Sequence, residues 1–186
     1  MDRDFFLLIK DMSPDMSVLD IGYGGLDGEN TTEYLLRKFN HNNMVGLVKE
    51  NRDSRRYADS HRDIRVLWGA FPDIMPDTKF DLIVADLNID TNIKHNWTDK
   101  GLDMLLKYLD DGGYLINYVM KTTDYGDEAT TQLITNHWKE WWGSETFSDV
   151  AIVKKLLGLK NFELIDILQE PRRSYITWVK LKKISG

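Results

Sequence analysis

Short apolar segments alternate with helical patterns along almost the whole chain, and this alternation limits the possible folds more than any other feature. Seven segments have the length and apolar character of buried strands: residues 17–22, 43–48, 64–69, 80–87, 114–120, 162–168 and 174–181. Apolar residues recur at helical spacing in four others: 31–39, 102–109, 128–142 and 148–158. Strands separated by helices typically form parallel sheets with helices on both faces. The sequence therefore predicts an α/β fold with a mostly parallel sheet.

The end of the chain departs from this alternation. Segments 162–168 and 174–181 are joined by a short turn through Pro171, so we expect them to form an antiparallel hairpin at one edge of the sheet. We find no repeat, low-complexity stretch or linker in the sequence. We therefore expect residues 1–186 to form a single domain with a doubly wound, mostly parallel seven-stranded sheet that closes in a C-terminal antiparallel hairpin.

Composition excludes several kinds of protein. The chain contains no cysteine, which excludes disulfides, thiolate nucleophiles and cysteine-based zinc sites. The histidines do not have the spacing of metal ligands, so we expect no metal site. No apolar run approaches the roughly 20 residues that a membrane helix needs, and the first residues lack the pattern of a signal peptide. These features lead us to expect a cytoplasmic protein.

The charge balance argues against broad binding to nucleic acid. The formal net charge is −6, whereas phosphate binding needs a positive face. A local basic run comprises Arg52, Arg55, Arg56, Arg62 and Arg65. Its simplest interpretation is a solvated helix and loop.

Glycines crowd the turn that follows the first predicted strand, in the segment VLDIGYGGLDGEN at 18–30. They are Gly22, Gly24, Gly25 and Gly28. Glycine adopts positive φ angles and lets a ligand approach the backbone closely, and the helix that begins near Thr31 directs its amides towards the turn. Ligands of open α/β sheets bind outside the carboxyl ends of the strands. We therefore expect a ligand site at this glycine turn, residues 22–28.

The spacing of the glycines disfavours a dinucleotide-dependent oxidoreductase. The dinucleotide fingerprint G-x-G-x-x-G requires glycine at its sixth position, which is Asp27 when the count starts at Gly22. Asp20 also interrupts the apolar strand that usually precedes this fingerprint.

Asp20, Gly22 and Gly24 form the pattern acid-x-Gly-x-Gly, which resembles the signature of class I S-adenosylmethionine-dependent methyltransferases. Later landmarks follow in the order of that family: FDLIVAD at 80–86, LLKYLDDGGYLI at 105–116 and the closing hairpin. The resemblance covers nearly the whole chain. It implies a methyltransferase that uses S-adenosylmethionine and transfers a methyl group to an acceptor that the sequence does not identify. It also implies that the turn holds the methionine and ribose portions of the cofactor, through Asp20, Gly22, Tyr23, Gly24 and Gly25.

Two further family positions carry unusual residues. The family usually ends its second strand with an acid that accepts hydrogen bonds from the ribose hydroxyls, but Val48 stands there. We expect Glu50 to replace that acid, through a second strand or turn about two residues longer than usual. The family also often has an acid near the adenine amino group, and Ala70 occupies its place. The resemblance makes Gly69, Ala70 and Phe71 cofactor-binding candidates, with Phe71 either stacked on adenine or part of the core.

Asp86 is the catalytic candidate. It ends the fourth predicted strand, where the family places its substrate-facing motif; the alternative is a structural acid that caps the next loop. The sequence from Asp86 to Ile89 differs from the Asn/Asp-Pro-Pro-Tyr signature of enzymes that methylate exocyclic amino groups of DNA bases. Tryptophans at 138, 141 and 142 recur at helical intervals, which fits a core face or a dimer interface.

Two alternative functions stay open. A methyltransferase-like scaffold or partner subunit that has lost catalysis would explain Val48 and Ala70. An RNA ribose 2′-O-methyltransferase would use a Lys-Asp-Lys-Glu tetrad, for which Lys10 and Asp86 match the first two members. The third lysine is expected near Tyr118, and the glutamate at the start of the last strand, where Arg173, Ser174 and Tyr175 stand.

Overall fold

The fold is known from a computed structural model. It describes residues 3–24, 31–71, 73–85, 98–120, 157–169 and 176–184, with 128, 129, 132, 135, 136, 139 and 140. Its elements are α1 (Arg3–Ile9), β1 (Val18–Ile21), α2 (Thr31–Lys38), a 3-10 turn (His41–Asn43), β2 (Met44–Val48), α3 (Arg52–Ser60), β3 (Arg65–Trp68), β4 (Phe80–Ala85), α4 (Thr98–Tyr108), β5 (Leu109–Met120), β6 (Phe162–Gln169) and β7 (Ile176–Lys183). The predicted helices at 128–142 and 148–158 lie largely outside these residues.

The strands form one seven-stranded sheet in the order β3-β2-β1-β4-β5-β7-β6. The pairs β3–β2, β2–β1, β1–β4 and β4–β5 are parallel, whereas β5–β7 and β7–β6 are antiparallel. The predicted fold class is therefore confirmed, including the closing hairpin. Because β1 pairs with β2 on one side and with β4 on the other, the strand order reverses there, and a crevice is expected outside the carboxyl ends of these strands.

One predicted turn is part of a strand. The two aspartates and two glycines at 110–113 lie between the predicted helix 102–109 and the predicted strand 114–120, but in the structure they are part of β5. The register shifts there: Phe80 pairs with Leu109, whereas Leu82 pairs with Tyr114. Gly112 has a φ of 78°, which is a conformation that favours glycine. The glycines thus form an irregularity inside the strand instead of ending it.

The buried apolar side chains form a core on each face of the sheet. One cluster contains Leu19, Ile21, Leu47, Phe71, Ile83 and Leu105; the other contains Phe5, Leu8, Val18, Tyr23, Leu35 and Trp178. The short helix α1, which we did not predict, contributes Phe5, whose ring lies 4.9 Å from that of Trp178. Lys180 of β7 donates a hydrogen bond to the carbonyl of Leu8 at 2.7 Å.

No helix in the described part of the chain is long and apolar enough to cross a membrane.

An ion pair joins the segments that precede β2 and β3. His41 Nδ1 lies 2.5 Å from Asp63 Oδ2, and His41 Nε2 lies 3.0 Å from the carbonyl oxygen of Leu36. Both ring nitrogens therefore face acceptors, and only the protonated imidazole can donate to both. The hydrogen bond between His41 and Asp63 raises the pKa of His41 above its usual 6.5. The same bond lowers the pKa of Asp63.

This pair predicts a pH-dependent contribution to stability. Because the pKa of His41 is raised by folding, its contribution is fully present below the unfolded value of 6.5 and disappears as the pH rises through the folded value. We expect Asp63→Asn to lower the melting temperature slightly at about pH 6, and to have a smaller effect at about pH 9, well above the usual pKa of histidine. Calorimetry of wild type and variant at both pH values tests this. Equal losses at the two values would contradict it.

Candidate functional site

The glycine turn leaves β1 and stays against the end of β2. Gly22 has a φ of 94° and Gly24 a φ of 75°, and both angles favour glycine. The amide of Gly22 donates to the carbonyl oxygen of Leu47 at 2.8 Å, and that of Tyr23 donates to the same oxygen at 3.3 Å. The backbone of residues 22–24 is therefore held at the carboxyl end of the two strands, as the sequence predicted.

A buried hydroxyl connects Asp20 with the turn. Thr32 in the first turn of α2 donates to Asp20 Oδ2 at 2.6 Å and accepts the amide hydrogen of Gly24 at 2.8 Å. Asp20 and Thr32 are 0% and 1% exposed. Asp20 thus shapes the turn through Thr32. The Gly24 amide is therefore already engaged by Thr32 and not free to donate to a ligand. Sequence reasoning did not find Thr32, although a threonine in the first helical turn after a glycine segment is a usable signal.

The turn rests on two tyrosine rings. The ring of Tyr23 is completely buried, and a Cβ atom at Gly46 of β2 would lie 2.4 Å from its Cγ. The side chain of Tyr23 therefore points into the core, and only its backbone can face a ligand. Tyr57 of α3 packs edge-on against Tyr23 with ring centroids 5.4 Å apart. A Cβ at Gly24 would lie 2.9 Å from Tyr57 Cδ1, so this position has no room for a side chain.

Tyr57 also joins α3 to α2. Its hydroxyl donates to Glu33 Oε1 at 2.7 Å. Burial raises the pKa of Tyr57 well above its usual range, and the bond to Glu33 adds to this effect. Burial and the nearby Asp20 raise the pKa of Tyr23 in the same way. Both phenols are therefore neutral at physiological pH.

Glu50 lies in the turn between β2 and α3. β2 ends at Val48, and α3 begins at Arg52, capped by the side chain of Asn51. The strand therefore ends where the predicted segment 43–48 ends, without the two extra residues considered above. Glu50 lies in the turn that follows. Its Oε1 lies 2.7 Å from Arg55 Nε, and the side chains of both residues are 54% exposed.

The three candidates for the adenine side, residues 69–71 after β3, differ in their exposure and contacts. Gly69 donates its amide hydrogen to the carbonyl of Val48 at 3.0 Å, and a Cβ atom there would lie 2.3 Å from Ile74 Cδ1. Ala70 is exposed. Phe71 is 8% exposed and belongs to a hydrophobic core cluster, which is the second of the two roles considered for it.

Several candidates lie outside the described residues, among them Gly25, Asp86 and the tryptophans at 138, 141 and 142. The residue before Asp86, Ala85, lies within the described part of the chain. Ala85 ends β4 and pairs with Asn117 of β5. The buried Asn117 side chain donates from Nδ2 to the carbonyl oxygen of Ala85 at 2.8 Å, and so restrains the backbone next to Asp86. Sequence reasoning did not find Asn117.

Lys10 lies away from the glycine turn. Its carbonyl oxygen accepts a hydrogen bond from Lys38 Nζ at 2.7 Å. Lys38 is the last residue of α2, whose first turn adjoins the glycine turn, so Lys10 lies near the opposite end of that helix. Asp86, the second member of the Lys-Asp-Lys-Glu tetrad, lies outside the described residues, so the tetrad stays a prediction. Among the described residues, no cluster of acids and histidines could hold a metal ion.

Comparisons with known proteins identify the fold. No protein-family model matches the sequence, and no curated protein matches it. Among solved structures, the N-methyltransferase NodS from Bradyrhizobium japonicum WM9 aligns with a TM-score of 0.62 and 15% identity, over 97% of this chain and 93% of that one. A 1,6-didemethyltoxoflavin-N1-methyltransferase from Burkholderia thailandensis aligns with a TM-score of 0.67 and 14% identity, over 98% and 77%.

A third structure, the carbon methyltransferase of CurJ, aligns with a TM-score of 0.61 and 18% identity over 95% of this chain. The chain spans about half of that protein, 51% of its length. The chain therefore has the class I methyltransferase fold, which confirms the resemblance that the sequence indicated.

The hydroxyl of Thr32 predicts a specific loss of stability. Thr32→Val keeps the shape of the side chain but leaves the Gly24 amide and Asp20 Oδ2 without this partner. An unsatisfied buried polar group costs about 1–3 kcal/mol, so we expect the free energy of unfolding to fall by about that amount. Thr32→Ser keeps the hydroxyl and is the matched control. Denaturant unfolding of both variants tests this, and an equal loss in the serine variant would show that the methyl group matters instead.

Proposed function

We propose that this protein is an S-adenosylmethionine-dependent methyltransferase. The observation that carries the proposal is the glycine turn, which the Asp20–Thr32–Gly24 hydrogen bonds hold at the point of the class I methyltransferase fold where β1 adjoins both β2 and β4. Crystal structures of NodS and of the toxoflavin methyltransferase contain S-adenosylhomocysteine, the product of the cofactor.

The residues at the carboxyl ends of the strands suit the parts of this cofactor. The backbone of Gly22 and Gly24, in conformations that favour glycine, accommodates the methionine and ribose portions beside Asp20. Glu50 is the first carboxylate along the chain after the end of β2 and accepts hydrogen bonds from the ribose hydroxyls. The exposed Ala70 leaves space for adenine beyond the end of β3, whereas the missing side chain of Gly69 makes room for Ile74. The cofactor itself supplies an activated methyl group on its sulfonium centre.

Transfer of that methyl group depends mainly on alignment of the acceptor with the sulfonium. We assign Asp86 to the acceptor side, where a carboxylate can orient the acceptor or take its proton. Asn117 restrains the adjacent backbone at Ala85. The comparisons do not choose the atom that accepts the methyl group, because the similar structures include two N-methyltransferases and a carbon methyltransferase.

A second candidate function is a scaffold or partner subunit with this fold and without catalysis. The observation in its favour is that neither Val48 nor the exposed Ala70 has a carboxylate. A hydrogen bond to a charged group contributes about 1.5–3 kcal/mol, so the loss of both acids without replacement would abolish useful cofactor affinity.

Ligand binding separates these two functions. S-adenosylhomocysteine at 100 times its dissociation constant adds about 2.7 kcal/mol to the stability of the protein that binds it. For a chain of this size the expected rise in melting temperature is about 5–10 °C. Thermal unfolding with S-adenosylmethionine, S-adenosylhomocysteine and NAD measures it. No shift at millimolar S-adenosylhomocysteine in a folded sample would favour the scaffold, and a shift with NAD alone would favour an oxidoreductase.

The role of Asp86 predicts a loss confined to catalysis. Asp86→Ala should keep the affinity for S-adenosylhomocysteine within a few fold and reduce methyl transfer by about 10²–10⁴-fold, the usual contribution of a positioned acid or base. Single-turnover assays with an acceptor found by screening provide the rate, and calorimetric titration provides the affinity. Unchanged turnover would make Asp86 a cap of its loop.

A further inference from the structure

A chain of contacts connects Glu50 with the end of β3. The guanidinium carbon of Arg55 lies 4.5 Å from the centroid of the Trp68 ring, and Arg55 Nε lies 2.7 Å from Glu50 Oε1. Trp68 ends β3 and pairs with Val48, which ends β2. The three side chains therefore lie at the carboxyl ends of two neighbouring parallel strands, where the family places its ribose and adenine contacts.

The contact with Arg55 leaves half of the Glu50 carboxylate available. A carboxylate has about four acceptor sites on its two oxygens. Oε1 accepts from Arg55, and within the described parts of the chain no residue donates to Oε2. One oxygen can therefore be anchored on the protein while the other receives the hydroxyls of a ligand.

Arg55 is suited to hold this carboxylate still. An exposed glutamate samples several rotamers, and ordering it on ligand binding costs entropy. The guanidinium is planar and rigid, and its stacking on Trp68 is a cation–π contact. Trp68 of β3 thus contacts Arg55, and Arg55 contacts Glu50, so the two contacts limit the positions open to the carboxylate.

We propose that Arg55, stacked on Trp68, is a positioning residue that orients Glu50 towards the ribose diol of the nucleoside ligand. The carboxylate missing at Val48 is thereby supplied from the β2–α3 turn and aimed by the neighbouring strand. This inference rests on the proposed function, because it requires a nucleoside in the crevice. The opposite role of Arg55 gives the opposite result: if the ion pair draws Glu50 away from the ligand, removal of Arg55 will strengthen binding.

The test is calorimetric titration of S-adenosylhomocysteine into the full chain. Glu50→Gln should weaken binding roughly ten- to hundredfold, because it removes a charge-assisted acceptor. Arg55→Ala should weaken binding roughly three- to tenfold. The double variant should bind about as weakly as Glu50→Gln alone, because Arg55 acts only through Glu50. Trp68→Leu should weaken binding of S-adenosylhomocysteine. Trp68→Phe retains an aromatic face and should keep most of the wild-type affinity.

Arg56→Ala is the matched control. It removes the same charge from the next position of α3, and Arg56 is also exposed, so its affinity and melting temperature should equal those of the wild type. Equal or tighter binding by Arg55→Ala, additive losses in the double variant, or an equal loss in Arg56→Ala would overturn the proposal. Wild-type binding with Glu50→Gln unaffected would overturn it while leaving the proposed function intact. Absence of wild-type binding would overturn both.

Discussion

The hydroxyl group of Thr32 makes two hydrogen bonds on which the geometry of the site depends. It donates to Asp20 in the central strand and accepts from Gly24 in the turn, so one buried atom joins the sheet, the turn and the start of α2. The positive φ angles of Gly22 and Gly24 turn the chain back over the strand ends, and Thr32 holds it there. A buried polar group without a partner is costly, which makes this arrangement strongly preferred over a looser turn.

Aromatic packing supports the same turn from below. Glycine in the middle of a strand weakens it, yet Gly46 occupies such a position in β2 because the Tyr23 ring fills the space of its side chain. Tyr57 packs against Tyr23 and leaves no room for a side chain at Gly24. The core on this face of the sheet and the candidate ligand site therefore share residues, so a change in one alters the other.

The position of the acid near β2 follows from helix capping. Asn51 accepts hydrogen bonds from the amides of Asp53 and Ser54 and so begins α3 soon after β2 ends at Val48. Glu50 lies between strand and helix, where neither element sets its side-chain direction. Its contact with Arg55 supplies that direction.

The sequence by itself determined the succession of the strands along the chain, the closing hairpin and the place of the glycine turn, because apolar periodicity and glycine spacing are local properties of a chain. It also indicated Asp20 and Glu50 as cofactor-binding candidates, because each lies within two residues of the end of a strand. It did not indicate the short helix α1. Only the tertiary structure decided that Thr32 bonds to Asp20 and that Arg55 stacks on Trp68. Each of these contacts joins separate elements, and the distance between two elements depends on how the whole sheet and its helices pack.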